Sequence, residues 1–544
     1  MEFTPPAVAP DAVLNKEIAT VLLHQKILLR FKNWLCSPLL RLPKETIIHI
    51  LSFVMDHEEQ STSWKPVFHT CHHIHDIMRT ATELWWKVNC RWAREADLAF
   101  TRAKGNPRVL IAELSPWNRD ARAILDRWRD KRTLQGHRLR RLELFGYPSD
   151  LSRFQWMFEG ALPHLNHLKI HFSSRPLLSN SENIQIPITL QLPTDMPLRI
   201  LDLRNTTLPW ASKLFIGLSE LRLDFRDCDA LQISKDELLR ILGASPELES
   251  LALIQVGPKI EVAANGDAHR PTPEQIVQFP RLTSLELDNS PAVIGFILAH
   301  IGTPAVDSLQ VRSPISSWNL AQSLDHLIPN SNLQKRLFST PPTFEIETTD
   351  DGLSDLMILN IGAFKICFDF DFDDVVAIRD VIMARIQPLV PSSVTLLKLD
   401  FSESELEGLE WVEFLTSHSE LRTIECSKGS WDPEAESLWD ALSPSGADKV
   451  TMCQKLELIS LIGDPPSRLL DCLLNRKNAG FKLRHLKVEK PFKRSKLVQE
   501  FGPLVGTLEI DKAEDELARE VRPAFMICHD LFSMGRSFCF PGKR

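Results

Sequence analysis

An internal repeat of the form L-x-x-L-x-L most constrains the fold of this 544-residue chain. Within each copy, large apolar residues alternate with other residue types, which predicts a short β-strand with one buried face and one polar face. The twelve copies begin at Leu139, Leu165, Leu198, Leu218, Leu248, Leu282, Val306, Val394, Leu421, Leu456, Leu483 and Val505.

The spacing of these strands indicates a repeat architecture. Two irregular strands, near residues 344–346 and 365–370, are expected to fill the gap after the seventh copy. With them, the 366 residues from Leu142 to Leu508 contain thirteen steps of about 28 residues each, a period typical of leucine-rich repeats. The position after each strand lacks the usual Asn or Cys and carries residues such as Tyr147 and Ser173, so the repeats are irregular.

Segments between the strands show helical spacing of apolar residues. Helices are predicted at residues 235–242, 273–277 and 467–474, each backing a strand. A lead-in strand near residues 108–112 and a helix over residues 120–131 are expected to start the array. Residues 511–544 are interpreted as a C-terminal cap and tail.

Two further helical patterns precede the repeats. Residues 11–34 have an apolar stripe that includes Leu14, Val21 and Leu28, which predicts a helix that packs on the next segment or forms a short coiled coil. From Pro43 onward a second helix is apolar on more than one side, and a segment of about 50 residues cannot easily bury two faces alone. This helix therefore predicts a protein partner.

The residues of this second segment resemble the F-box family. The similarity comprises the stretch L-P-x-E-x-I-x-x-I-L-S-F-V that begins at Leu42, the stretch T-C-H-H-I that begins at Thr70, and the pair Leu84-Trp85. Together with the upstream helix, it is similar to mushroom-type fungal F-box proteins and covers about 90 residues. The resemblance implies three helices that bind a Skp-family adaptor and, through it, a cullin. The implied adaptor-binding set is Leu42, Pro43, Ile47, Ile48, Leu51 and Val54.

The predicted fold class is therefore α/β, with an N-terminal three-helix F-box followed by an irregular leucine-rich-repeat solenoid. The predicted organisation is an N-terminal tail and amphipathic helix (1–37), an F-box (38–95), a linker and entry segment (96–135), the repeat array (136–510), and the cap and tail (511–544).

The resemblance implies a substrate-recognition subunit of a Skp–cullin–F-box ubiquitin ligase, a non-catalytic receptor that raises the local concentration of its target. An unidentified protein substrate is expected on the strand residues that point away from the core. The predicted substrate-binding residues are Arg140, Arg141, Glu143, Arg222, Asp224, Ser284, Glu286, Lys398 and Asp400. An F-box scaffold acting outside ubiquitin transfer and an unrecognised enzyme are the alternatives.

Charge and cysteine content limit the other functions. Hydrophobic residues make up 43% of the chain and charged residues 25%, a globular composition, and the net charge of −8 favours neither nucleic-acid nor anionic-membrane binding. Ten cysteines without a CxxC pair are typical of reduced thiols in a cytoplasmic or nuclear protein. A signal peptide and a bilayer-spanning apolar run are not expected.

Other polar clusters have simpler interpretations than metal binding. The histidines around Cys71 favour a polar F-box surface over a zinc site, and the alternating Asp and Phe residues at 368–374 favour a strand over a calcium site. We predict no catalytic residue, no metal ligand and no cofactor. Basic residues at positions 129–132 and 138–141 form either a solvated face or a docking patch for an acidic partner.

Overall fold

The structure is a computed structural model. It describes residues 10–56, 71–91, 93–104, 107–114, 119–131, 138–147, 150–158, 162–173, 188–189, 192–193, 196–226, 231–260, 276–303, 305–315, 327, 337, 343–350, 355–370, 386–401, 411–426, 436–443, 452–463, 465–489 and 494–511.

The protein has a mixed α/β fold in which most strands of the sheet are parallel. It divides into two compact units, Met1–Asp229 and Ala230–Arg544. This division falls inside the array that the sequence predicts as a single segment. The strand positions of the repeat are nevertheless confirmed, because each of the twelve copies forms a strand.

Helices occur at the N-terminus and between strands. They are α1 (Pro10–Cys36), α2 (Lys44–Asp56), α3 (His72–Thr80), α4 (Ala93–Arg102), α5 (Arg119–Lys131), α6 (Leu151–Gln155), α7 (Lys235–Gly243), α8 (Pro291–His300), α9 (Trp411–Ser417), α10 (Glu436–Leu442), α11 (Ser467–Asn478) and α12 (Arg494–Phe501).

The strands of the two main sheet regions are numbered in chain order. They are β1 (Lys87–Asn89), β2 (Val109–Glu113), β3 (Arg141–Gly146), β4 (His167–Phe172), β5 (Ile200–Arg204), β6 (Glu220–Asp224), β7 (Ser250–Ile254), β8 (Ser284–Asp288), β9 (Ser308–Ile315), β10 (Thr343–Asp350), β11 (Asp355–Ile361), β12 (Phe364–Phe370), β13 (Leu396–Phe401), β14 (Thr423–Cys426), β15 (Leu458–Ile462), β16 (His485–Glu489) and β17 (Thr507–Asp511).

In the first unit, strands β1 to β6 pair in chain order, and all five pairings are parallel. The register places equivalent repeat positions side by side, so that Leu142, Leu168 and Leu201 form one row. These three leucines are fully buried. Because side chains alternate along a strand, the intervening residues form a second, polar face of the sheet.

In the second unit, the order of the strands changes in the middle. Strands β7, β8 and β9 are parallel neighbours, but β9 next pairs with β12, and β10 pairs with β13. Strand β11 lies between β10 and β12 and is antiparallel to both. The prediction of two strands in this gap therefore missed β11, and these three strands enter the sheet in reverse chain order. Strands β13 to β17 then follow as parallel neighbours.

Other predicted elements have mixed outcomes. The lead-in strand, the helix at 120–131 and the helices at 235–242 and 467–474 are confirmed by β2, α5, α7 and α11. The predicted helix at 273–277 is wrong where the structure describes it, since Val277–Gln278 is a short strand paired with Ile301–Gly302. Beyond residue 511, the predicted cap and tail lie outside the described residues, as do positions 371–374 of the Asp/Phe run.

The N-terminal segment has a small core of its own. Ile47 and Leu51 of α2 are buried, as are Ile74 and Ile77 of α3. Trp85 is buried too, and its indole Nε1 donates a hydrogen bond to the carbonyl oxygen of Met78 over 2.6 Å. Around the pair Leu84-Trp85, where the third helix of the F-box is predicted, the chain forms a 3-10 helix, Thr82–Trp85, followed by the strand β1.

Helix α1 differs from the packing prediction. Its apolar residues are not covered, and Leu14, Val21 and Leu28 are 56%, 65% and 68% exposed. We find no helix in the described part of the chain that is long and apolar enough to cross a membrane.

Candidate interaction site

The polar strand face of the first unit is defined by the outward-pointing residues of β3, β4, β5 and β6. Its central row places Glu143 beside Lys169, Lys169 beside Asp202, and Asp202 beside Arg222. The charges therefore alternate in sign across four neighbouring strands, spaced about 4.8 Å apart. The residues predicted on β3 and β6, Glu143 and Arg222, thus belong to one continuous row.

Asp202 is the centre of this row. Its carboxylate accepts a hydrogen bond from His171 over 2.8 Å and forms an ion pair with Lys169 at 3.0 Å. Burial alone raises the pKa of the Asp202 carboxyl, but the His171 hydrogen bond and the charges of His171 and Lys169 outweigh burial and hold that pKa below its ordinary value. The carboxylate is therefore ionised and engaged on both sides at neutral pH.

A second group surrounds Glu143. This carboxylate is 6% exposed and accepts a hydrogen bond from the guanidinium of Arg141. Nε2 of His167 lies 3.9 Å from Oε1 of Glu143, too far for a hydrogen bond, and has no such partner among the described residues. Burial lowers the pKa of His167, and the charge of Arg141 lowers it further, which favours the neutral imidazole.

The face also has an aromatic element and a third carboxylate. The rings of Phe145 and His171 meet edge to face with centroids 5.3 Å apart. Asp224 is buried between two arginines, at 3.8 Å from Arg222 and 3.7 Å from Arg226.

Acidic and basic residues differ in depth on this face. The side chains of Glu143 and Asp224 are 8% and 7% exposed, whereas that of Arg141 is 48% exposed. Long arginine and lysine side chains extend past the short carboxylates that they neutralise. The polar strand face therefore presents mainly cationic groups to solvent, although its acids and bases are nearly balanced.

The remaining predicted substrate residues are in other places. Arg140 immediately precedes β3 and is exposed. Ser284 and Glu286 project from β8, and Lys398 and Asp400 from β13, in the second unit. Because β9, β12, β11 and β10 separate β8 from β13, the two pairs are about 24 Å apart at ~4.8 Å per strand. Lys398 lies 3.6 Å from Glu425 on the next strand.

Sequence reasoning missed three central residues, Lys169, His171 and Asp202. They occupy the same outward positions of their repeats as the residues that were named, so the alternation rule could have found them. Metal binding gains no support here, because the described residues contain no group of three His, Cys, Asp or Glu side chains able to hold an ion.

The predicted adaptor-binding set divides into two groups. Ile47 and Leu51 are buried in the N-terminal core, whereas Leu42 and Pro43 are exposed and Ile48 is half-buried. The side chain of Val54 lies outside the described residues. Two apolar residues that the set omits, Ile50 and Phe53, are 37% and 61% exposed.

The comparisons with known proteins add no identification, since neither a protein-family model nor a curated protein matches the chain.

Proposed function

We propose that this protein is the substrate-recognition subunit of a Skp–cullin–F-box ubiquitin ligase. In this proposal, residues 38–95 form an F-box that binds the Skp adaptor. The strands of residues 136–510 form an irregular leucine-rich-repeat solenoid that holds the target. The receptor performs no chemistry and increases the effective concentration of target lysines near the ubiquitin-charged enzyme.

The two-sided apolar character of α2 carries this proposal. Ile47 and Leu51 fill the local core, yet Ile50 and Phe53 on the same helix remain exposed. Leu42, just before the helix, is 37% exposed as well. Burying such a side chain on a partner is favourable by about 1.5–3 kcal/mol when burial is complete, so this exposed group supports a docking function.

The polar strand face supports target binding. Its parallel, in-register strands form a continuous surface of charged and aromatic side chains, which is typical of the binding surfaces of repeat proteins. The charges predict a polar and specific interface, because mismatched partners leave charges unpaired.

The test is capture of a Skp adaptor and a cullin by the tagged full-length chain. The variant I50D/F53D alters the exposed apolar group and leaves Ile47 and Leu51 in place. We expect it to lose adaptor capture while its melting temperature stays near that of the wild type. The matched control is V412D/V498D, because Val412 and Val498 are 53% and 54% exposed on other helices.

Adaptor capture that is undiminished in a folded I50D/F53D variant contradicts the F-box assignment. Recovery of the adaptor without a cullin supports the scaffold alternative instead. Aspartate at Leu51 is less informative, because Leu51 is only 5% exposed and the change disrupts the local core itself.

A further inference from the structure

Three arginines line one edge of the sheet in the first unit. Arg108, Arg140 and Arg199 immediately precede β2, β3 and β5, and we call them the arginine edge. Backbone hydrogen bonds hold them in register. The amide of Arg140 donates to the carbonyl oxygen of Arg108 over 2.8 Å, and Asn166, just before β4, connects Arg140 to Arg199 through bonds of 2.9 and 2.8 Å.

The guanidinium groups of this edge are exposed and lack partners. Across the residues that the structure describes, no ion pair or hydrogen bond involves the guanidinium groups of Arg108, Arg140 or Arg199. Arg141, one position further along β3, differs because it is paired with Glu143. Like charges on adjacent strands are destabilising, so the edge has an unfavourable arrangement that an anionic ligand relieves.

In the second unit, some charged residues at or near the corresponding positions are paired with each other. Glu457 and Arg484 immediately precede β15 and β16, and their side chains form an ion pair at 3.3 Å. Two residues earlier in the repeat, Glu247 pairs with Arg281 at 2.8 Å. Arg422, which immediately precedes β14, is exposed and has no ion pair among the described residues. Among the described residues that immediately precede strands, the second unit therefore has one such arginine, whereas the first unit has three.

We infer that the arginine edge binds an acidic segment of a protein in extended conformation. Arg108 and Arg199 are three strand spacings apart, or about 14 Å. Residues i and i+4 of an extended peptide are separated by a similar ~13.6 Å, and carboxylates at alternate positions point to the same side. Each guanidinium can hold a carboxylate through two hydrogen bonds. The side-chain amide of Asn166, just before the strand that lies between those of Arg140 and Arg199, supplies a neutral donor.

A protein segment fits this region better than a nucleic acid. Glu220 follows Arg199 on the neighbouring strand and is exposed. Its carboxylate repels a continuous phosphate backbone, whereas a peptide can place acidic residues on the edge and other residues beside Glu220. The inference deepens the proposed function, and it rests on that function in one respect, namely that the bound acidic segment is part of the target protein.

The experiment measures binding of labelled peptides to the full-length chain by fluorescence anisotropy. One peptide has glutamate at alternate positions, and its counterpart has glutamine at those positions. We expect the glutamate peptide to bind preferentially and to weaken as salt is added. The variant R108Q/R140Q/R199Q should bind it about tenfold more weakly at low salt, because three exposed ion pairs between the arginines and the peptide can no longer form.

The matched control is R281Q/K455Q/R484Q. It removes the same number of exposed positive charges from the segments just before β8, β15 and β16, but each of these residues already has an acidic partner. We expect this control to bind within twofold of the wild type. The edge variant should also keep its melting temperature, since it removes a repulsion and no internal bond.

Equal binding of the two peptides, or an equal loss in the control variant, overturns the inference. Tighter binding of a single-stranded oligonucleotide than of the glutamate peptide overturns it as well and assigns the edge to nucleic acid. Adaptor capture separates this inference from the proposed function. Failure of peptide binding with normal capture contradicts only the arginine edge, and failure of capture with normal peptide binding contradicts only the ligase proposal.

Discussion

Replacement of Asp202 by asparagine tests whether the charge row stabilises the first unit. Asp202 has a side chain that is 13% exposed, and it engages His171 at 2.8 Å and Lys169 at 3.0 Å. Hydrogen bonds to charged groups contribute about 1.5–3 kcal/mol each. Because asparagine keeps one acceptor but no charge, we expect D202N to lower the free energy of unfolding by about 2–3 kcal/mol at pH 7.

The pH dependence of this loss follows from the direction of the pKa shift. The folded-state pKa of Asp202 lies below the value of about 3.9 for an unfolded aspartate. Its stabilising contribution is then fully present above that unfolded value and is lost as the pH falls through the folded value. The difference between wild type and D202N should narrow as the pH falls below about 4.

Urea unfolding at a series of pH values measures this difference, and hydrogen exchange of peptides within residues 141–204 assigns it to the first unit. The control is E220Q, since Glu220 is exposed on the same sheet and should change stability by less than about 0.5 kcal/mol. A D202N effect no larger than the control refutes the reasoning. If the difference in free energy of unfolding between wild type and D202N does not narrow in acid, the stabilisation does not come from the ionised Asp202 carboxylate.

Three further predictions concern buried groups. Burial and the charge of Arg141 lower the pKa of His167, so the folded protein favours the neutral imidazole and its stability should decline as the pH falls through about 6.5. In melting-temperature scans at a series of pH values, H167Q should show a smaller decline than the wild type. Equal declines in the two proteins contradict this account. Arg476 is 1% exposed and donates to the carbonyl oxygens of Met452 and Cys453 over 2.8 and 3.0 Å, so R476A should cost about 3–5 kcal/mol in urea unfolding. R476M should cost less because it retains the volume of the stem, and equal losses contradict this account. Burial raises the pKa of Cys453 to about 11, whereas Cys71 is partly exposed. Alkylation of the native protein at pH 8, followed by mass spectrometry, should therefore modify Cys71 much faster than Cys453. Equal rates at the two cysteines contradict the burial argument.

Much of the local structure is determined by the sequence itself. The strand β3 follows from the alternation of Leu142 and Leu144 with polar residues, and the same pattern identifies the other eleven repeat strands. Helix α7 is similarly specified, because Ser234 and Glu237 form a reciprocal capping box at its start. Such features depend on residues only a few positions apart, so their signal is present in any short window of the chain.

Strand order and side-chain depth were decided by the tertiary structure. Nothing local to β10, β11 and β12 indicates that they enter the sheet in reverse order, because that choice depends on which distant strand edges they meet. The motif grouped Leu51 with Leu42, although packing buries the first and exposes the second. Alternation likewise placed Glu143 and Arg141 on one face but left open which would be buried. Side-chain length and the neighbouring strands decided this, and they turned a balanced set of charges into a face with exposed cations and buried acids.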